Sequence, residues 1–113
     1  MIITRDKVLS TLSRHVGAER GIHIDRLVAE ITGDLLPDAA AERRVRALVS
    51  ELREEGIAVC AHPGCGYFIA ETAEELESCC AFLRSRAMHS LVLESRLRKL
   101  TLPELLGQLR LKT

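Results

Sequence analysis

Cysteine and histidine side chains are the first candidates for chemistry, because the 113 residues contain four of each. Cys60, His62 and Cys65 are closely spaced, and Cys79 and Cys80 are adjacent. A structural zinc site usually needs two CxxC-like pairs. Neighbouring cysteines of one helix cannot easily direct both sulfurs to one metal, and they resemble small core residues. We therefore expect neither a metal site nor, in a reducing compartment, a Cys60–Cys65 disulfide.

Catalytic patterns are equally sparse. The four histidines are scattered along the chain, no pair of carboxylates lies in a recognisable motif, and no glycine-rich phosphate loop follows a strand. The sequence therefore predicts that the protein is not an enzyme and needs no cofactor.

Arginines on a predicted helix over 39–55 suggest a different chemistry. The apolar residues Val45, Leu48, Val49 and Leu52 form one buried stripe. The outer face carries its basic and small residues in its N-terminal half: Arg43, Arg44, Arg46, Ala47 and Ser50. A recognition helix meets base edges with its first turns, and arginine can bind guanine in a bidentate manner. The alternative is a solvated face whose arginines pair with Glu42 and Glu51.

Residues 52–70 predict that this helix runs into a β-hairpin. Gly56 is suited to end the helix, because glycine adopts the left-handed conformation without a steric penalty. Apolar segments at 57–61 and 67–70 flank turn residues at 62–66. The Leu-Arg pair before Gly, the apolar strand and the Pro-Gly-x-Gly-Tyr turn resemble the winged helix-turn-helix domain of the biotin-operon repressor family. The similarity extends over residues 5–70.

This resemblance implies a mainly α fold with a small β-hairpin wing, and sequence-specific binding to double-stranded DNA. The third helix would enter the major groove, and the wing would contact the flanking backbone. For the wing, His62 is a weak candidate for a phosphate contact. Gly64 and Gly66 are best interpreted as turn glycines with positive φ. Their functional interpretation, for Gly64 as a DNA-binding residue, is that a wing lies along the minor groove, where a small backbone can approach phosphates closely. Tyr67 either packs its ring under the wing or extends its hydroxyl to a phosphate. No segment resembles a biotin-ligase domain, so that activity is not implied.

The remaining elements complete the predicted domain over 1–71. A helix over 5–15 precedes a glycine-bounded break, and residues 22–24 are a candidate first strand that pairs with the hairpin. A second helix buries Leu27, Val28 and Ile31 and ends at Gly33. The turn at 34–38 is longer than that of a compact helix-turn-helix.

Residues 72–113 predict an added helical element for dimerisation or interaction. Capping boxes at Thr72–Glu75 and Thr101–Glu104 begin a long helix, to about residue 100, and a short leucine-rich helix that Gly107 interrupts. The short helix either covers its own chain or is buried in a homodimer, which we favour. The leucines assigned to that dimer are Leu93, Leu97, Leu100, Leu102, Leu105, Leu106 and Leu109.

Composition and charge set limits on these hypotheses. With two Phe, one Tyr and no Trp, the core must consist mainly of aliphatic side chains. No apolar run is long enough to span a membrane, and residues 1–20 resemble no signal peptide, so we expect a cytoplasmic protein.

Net charge is zero, and residues 1–71 carry nine basic and eleven acidic residues. A domain that held DNA mainly by neutralising phosphates would usually be basic, so this balance argues against DNA binding, and the prediction rests on the local placement of arginines. On that basis the sequence predicts a small transcriptional or phage/plasmid-type DNA-binding regulator. The alternative, which the acidic balance of residues 1–71 favours, is a winged-helix module for protein–protein interaction without DNA binding. The C-terminal helices are a separate candidate surface for a protein partner.

Overall fold

The computed structural model describes residues 2–99 and 101–111, which form a mainly helical chain with one two-stranded antiparallel sheet. The elements follow in chain order: α1 (Arg5–Leu12), a 3₁₀ turn (Ala18–Arg20), α2 (Ile24–Thr32), α3 (Ala39–Glu54), β1 (Val59–His62), β2 (Gly66–Ile69), α4 (Ala73–Arg98) and α5 (Leu102–Leu111). The chain divides into two compact units, Met1–Cys79 and Cys80–Thr113. The first two turns of α4 therefore belong to the first unit.

The core of the first unit is aliphatic, as the composition requires. Its buried side chains come from the start of the chain, the first three helices, the segment before α2 and β1: Ile3, Val8, Leu12, Ile22, Leu27, Val28, Ile31, Val45, Leu48, Val49, Leu52 and Val59. The stripes predicted for α2 and α3 are all present. Because each helix buries a single face, the opposite faces are left for solvent or a ligand.

The hairpin joins strands β1 and β2 through a three-residue loop. Val59 pairs with Ile69 and His62 pairs with Gly66 at the two ends of the ladder. The predicted first strand is reduced to one residue: Ile22 and Tyr67 exchange two backbone hydrogen bonds of 2.8 and 2.7 Å. A second isolated bridge joins Val16 to Ile69.

Two local predictions for the first unit are corrected. Helix α1 ends at Leu12 rather than His15, because Val16 leaves the helical path to bridge Ile69. Gly66 has a positive φ of 80°, but Gly64 does not, since the backbone turn at the hairpin needs one left-handed residue where the loop rejoins β2.

The second unit contains the remainder of α4 and α5. Lys99 takes a left-handed φ of 57° directly after α4. Thr101 and Glu104 form the predicted capping box, with reciprocal hydrogen bonds of 3.1 and 3.3 Å. Gly107 does not interrupt α5, because the helical hydrogen bonding runs through it. Leu105 and Ser95 are buried. Among the described residues, none forms a helix long and apolar enough to cross a membrane.

Candidate nucleic-acid interface

Helix α3 is fixed at its N-terminus and along one face. The carboxylate of Asp38 accepts a hydrogen bond of 3.1 Å from the backbone N–H of Ala41, which caps the first turn. The buried stripe then sets the rotation of the helix about its axis. The five residues predicted to face DNA are consequently all exposed: Arg43, Arg44, Arg46, Ala47 and Ser50.

The charges on this outer face are only lightly engaged. Arg46 approaches Glu42 at 3.5 Å, and both belong to neighbouring turns of α3. Arg43 and Arg44 form no ion pair with any of the residues that the structure describes. The alternative prediction was a solvated face whose arginines pair with Glu42 and Glu51. Within the described chain, only the 3.5 Å contact between Arg46 and Glu42 forms. Two guanidinium groups are left for an external anion.

The C-terminal half of α3 uses its charges for structure. Arg53 donates a 2.7 Å hydrogen bond from Nε to the carbonyl of Val59 at the start of β1. Arg5 binds both carboxylate oxygens of Glu55, each at 2.7 Å. The pKa of Glu55 is lowered, mainly because Arg5 donates hydrogen bonds to the carboxylate and also because Arg5 is positively charged. The hydrogen bonds to Glu55 in turn raise the pKa of Arg5. The surface suited to a polyanion is therefore the N-terminal half of the helix.

The hairpin tip is partly occupied by contacts within the first unit. A methyl group added to Gly21 would overlap the carbonyl of Cys65, and one added to Gly66 would overlap the carbonyl of Ile22. Residues 62–64 are exposed, and the N–H of Gly64 donates to Nδ1 of His62 at 2.9 Å. Tyr67 is half-buried and packs against the aliphatic core, which favours the structural interpretation of its ring.

The cysteines do not form a metal centre in the described part of the chain, where no three His, Cys, Asp or Glu side chains are placed to hold an ion. None of the four cysteines forms a disulfide within the described residues. Cys60 and Cys79 lie with Phe68 in a second apolar cluster, and half-buried Cys65 packs against it. Their environment is that of small hydrophobic side chains.

One contact was missed at the sequence level. Glu75 accepts hydrogen bonds from the backbone N–H groups of Ala18, at 2.7 Å, and Glu71, at 2.8 Å. These bonds lower its pKa. Sequence pattern identified Glu75 as the acidic member of a capping box, but its reach to the 3₁₀ turn depends on tertiary packing.

A second missed feature is an apolar pair in the α2–α3 connection. Leu35 and Leu36 are 81% and 75% exposed. They border a cleft of about 300 Å³ whose other charged lining residues are three acids and one base: Asp25, Asp38, Glu42 and Arg26. Two adjacent leucines within a turn predicted to be polar were the signal that could have identified this apolar pair from the sequence.

The leucines assigned to a dimer differ in exposure. Leu97, Leu93 and Leu109 are 85%, 46% and 42% exposed, whereas Leu102 and Leu106 are half-buried and Leu105 is buried. Leu100 lies outside the described residues. The exposed members thus lie on α4 and near the end of α5.

Net charge differs between the two units. The first contains nine basic and fourteen acidic residues, giving −5, and the second contains seven and two, giving +5. The N-terminal half of the outer face of α3, with Arg43, Arg44 and Arg46, is a local basic patch on an acidic unit.

No protein-family model, curated protein or solved structure matches the chain. The proposed function therefore rests on the fold of this chain and on its exposed side chains.

Proposed function

We propose that the first unit is a winged helix-turn-helix that binds double-stranded DNA as a small transcriptional or phage-type regulator. Helix α3 inserts its N-terminal half into the major groove, and residues 62–64 of the hairpin lie against the adjoining backbone. The protein acts as a homodimer, whose two-fold symmetry suits a palindromic site.

One observation carries this proposal. The exposed N-terminal half of α3 presents Arg43, Arg44 and Arg46 beside the small residues Ala47 and Ser50. Small side chains allow the helix to approach base edges closely, and Arg43 and Arg44 are not engaged by described acidic groups. Element order supports it too, because a helix-turn-helix followed directly by a hairpin is the arrangement that the winged fold requires.

Fluorescence anisotropy with a pool of random-sequence duplexes tests the proposal. We expect binding that weakens with salt, and a loss of at least about tenfold in affinity when Arg43 and Arg46 are both changed to alanine. The matched control changes Arg14 and Arg20 to alanine, which removes the same charge from exposed positions of the first unit outside α3. No binding at low salt, or equal losses in both double variants, would reject a recognition role for α3.

A second candidate function is docking of a protein partner on the first unit. Exposed Leu35 and Leu36 beside an acid-lined cleft favour it, as does the net charge of −5. Such a partner would present an apolar side chain next to basic residues. Changing both leucines to serine should abolish capture of this partner without affecting DNA affinity, whereas the arginine double variant should do the reverse.

A further inference from the structure

The second unit is the basic part of the chain. It contains seven basic and two acidic residues, whereas the first unit has a net charge of −5. Glu94 is the only acidic residue of α4 after Glu77. Four arginines lie on the same part of the helix: Arg84, Arg86, Arg96 and Arg98. A helix segment with this composition attracts an anionic partner.

Three of these four arginines form no ion pair with any residue that the structure describes. The exception is Arg98, whose Nε lies 3.0 Å from a carboxylate oxygen of Glu94 one turn earlier. The guanidinium of Arg86 lies over the ring of Phe82, 5.9 Å from its centroid. A guanidinium that stacks on a ring keeps its N–H groups for acceptors at its edge. Arg86 is therefore positioned without being neutralised.

Packing within the second unit decides which side of α4 is available. The buried and half-buried residues are Met88, Leu91, Val92 and Ser95. Arg84 and Arg98 fall in line with this set, seven residues on either side of Leu91. Arg86, His89 and Arg96 lie on a different side, because steps of three and seven residues keep them together on the helix. All three are exposed, and we call them the basic face.

The basic face is long enough to bind several phosphates. Arg86 and Arg96 are ten residues apart, which is about 15 Å along the helix at about 1.5 Å per residue. Over that length one strand of B-DNA carries about four phosphates along its axis. His89 lies between the two arginines and can donate an N–H in either protonation state.

We propose that the basic face of α4 binds the phosphate backbone of double-stranded DNA. The inference rests on the proposed function, because it assigns a second surface to the same ligand. Phosphate contacts carry no sequence information, so α4 supplies affinity and α3 reads the bases. These contacts also offset the charge of −5 on the first unit, which opposes binding to a polyanion.

An acidic protein surface is the other anion that a basic helix could bind. The spacing of the face favours DNA, because phosphates follow one another closely and regularly along a strand. Two arginines about 15 Å apart can then both reach a phosphate wherever the helix lies on the duplex. An acidic protein would need carboxylates at two matching positions.

Fluorescence anisotropy of the full chain with the random-sequence duplex pool tests the basic face. Changing Arg86 and Arg96 together to alanine should lower affinity at least about tenfold at about 0.1 M salt. The slope of log K against log salt should lose about 2 in magnitude per bound protomer. Alanine favours helix and both positions are exposed, so circular dichroism should remain that of the wild type.

The matched control changes Arg84 and Arg98 to alanine. It removes the same charge from exposed positions of the same helix, on the side in line with Leu91. We expect this variant to lose less than about threefold in affinity, because only long-range attraction is reduced. Equal losses in the two double variants, or an unchanged slope in the Arg86/Arg96 variant, would overturn the proposal.

Competition with poly-glutamate tests the choice of ligand. The Arg43/Arg46 double alanine variant is used, so that the contribution of α3 is removed. Poly-glutamate has a lower charge density than duplex DNA, and it should displace the duplex only at a charge concentration at least about tenfold higher. Displacement at equal charge concentration would reject DNA as the ligand of the basic face.

These outcomes can be told apart from those for α3. Loss of a phosphate contact should lower affinity by the same factor for the pool and for a duplex selected from it. Loss of Arg43 and Arg46 should lower affinity more for the selected duplex than for the pool. If only the Arg86/Arg96 variant is silent, this inference fails and the proposed function stands. If only the Arg43/Arg46 variant is silent, the proposed role of α3 fails and this inference stands.

Discussion

Gly66 lies where the hairpin meets the segment before α2. Its φ is 80°, and its Cα faces the carbonyl of Ile22 so closely that a Cβ would overlap it. Both the backbone conformation and the space thus require glycine. This contact limits how far the hairpin tip can project toward a ligand.

Replacing Gly66 with alanine should reduce the free energy of unfolding by about 2 kcal/mol or more, because strain and overlap add. Gly64→Ala is the matched control. Gly64 lacks a positive φ, and a Cβ there would meet only the exposed ring of His62. Urea denaturation followed by circular dichroism measures both changes. Equal losses in the two variants would contradict the proposed role of the Gly66 contact.

Glu75 should make stability depend on pH. Its folded-state pKa lies below the ordinary value of 4.5, because backbone N–H groups of Ala18 and Glu71 donate to the carboxylate. A lowered pKa stabilises the fold above pH 4.5, and this contribution is lost as pH falls through the folded-state value. Glu75→Gln should therefore lower the melting temperature at pH 7, and the difference from wild type should shrink below pH 4.5. Thermal unfolding across this range checks it, with Glu74→Gln expected to show a smaller effect.

At the scale of elements, α3 divides into halves with different roles. The C-terminal half is tied to β1 by Arg53 and to α1 by the Arg5–Glu55 pair. The N-terminal half is held by its cap and its buried stripe, which leaves its arginines exposed. Structural contacts thus occupy the charges at one end of α3, while the arginines at the other end stay exposed.

The cap of α3 can be tested on its own. Asp38→Ala should lower the free energy of unfolding by about 1 kcal/mol, since the first-turn N–H groups lose their acceptor. Asp38→Asn should retain most of the wild-type stability, because an asparagine side chain also caps. Chemical denaturation compares the three proteins. A larger loss in the asparagine variant than in the alanine variant would rule out capping as the explanation.

At the scale of the whole molecule, charge separation shapes the expected DNA binding. The first unit has a net charge of −5, so phosphate contacts must come from few local arginines or from the second unit at +5. This distribution favours modest affinity and steep dependence on individual basic side chains.

The salt dependence of DNA affinity distinguishes those two sources. If Arg43, Arg44 and Arg46 each neutralise one phosphate, these contacts should make log K fall with log salt at a slope of about −3 per bound protomer, which is about −5 for the proposed homodimer on two half-sites. The Arg43/Arg46 double alanine variant should reduce the magnitude of that slope by about 2 per bound protomer. An unchanged slope would locate the phosphate contacts elsewhere, and Arg86→Ala with Arg96→Ala would then test the second unit.

Local physical chemistry allowed much of the fold to be read from the sequence. The stripe at Val45, Leu48, Val49 and Leu52 predicted the buried face of α3, and Gly56, with a φ of 88°, has the left-handed conformation expected after the helix. The capping box at Thr101 and Glu104 forms with both hydrogen bonds. At the start of α4, Thr72 accepts from the N–H of Glu75, while the Glu75 carboxylate accepts from the N–H of Glu71. These features depend on residues a few positions apart, whose spacing specifies the helix face or helix end.

Tertiary structure alone decided how distant segments meet. It limited the predicted pairing of residues 22–24 with the hairpin to Ile22, brought the carboxylate of Glu75 to Ala18, and buried Leu105 while leaving Leu97 exposed. Periodicity identifies an apolar face but not what covers it, because burial depends on contacts between residues far apart in the chain. The sequence therefore determined the exposed arginines of α3, and the fold determined which apolar side chains of α4 and α5 stay exposed.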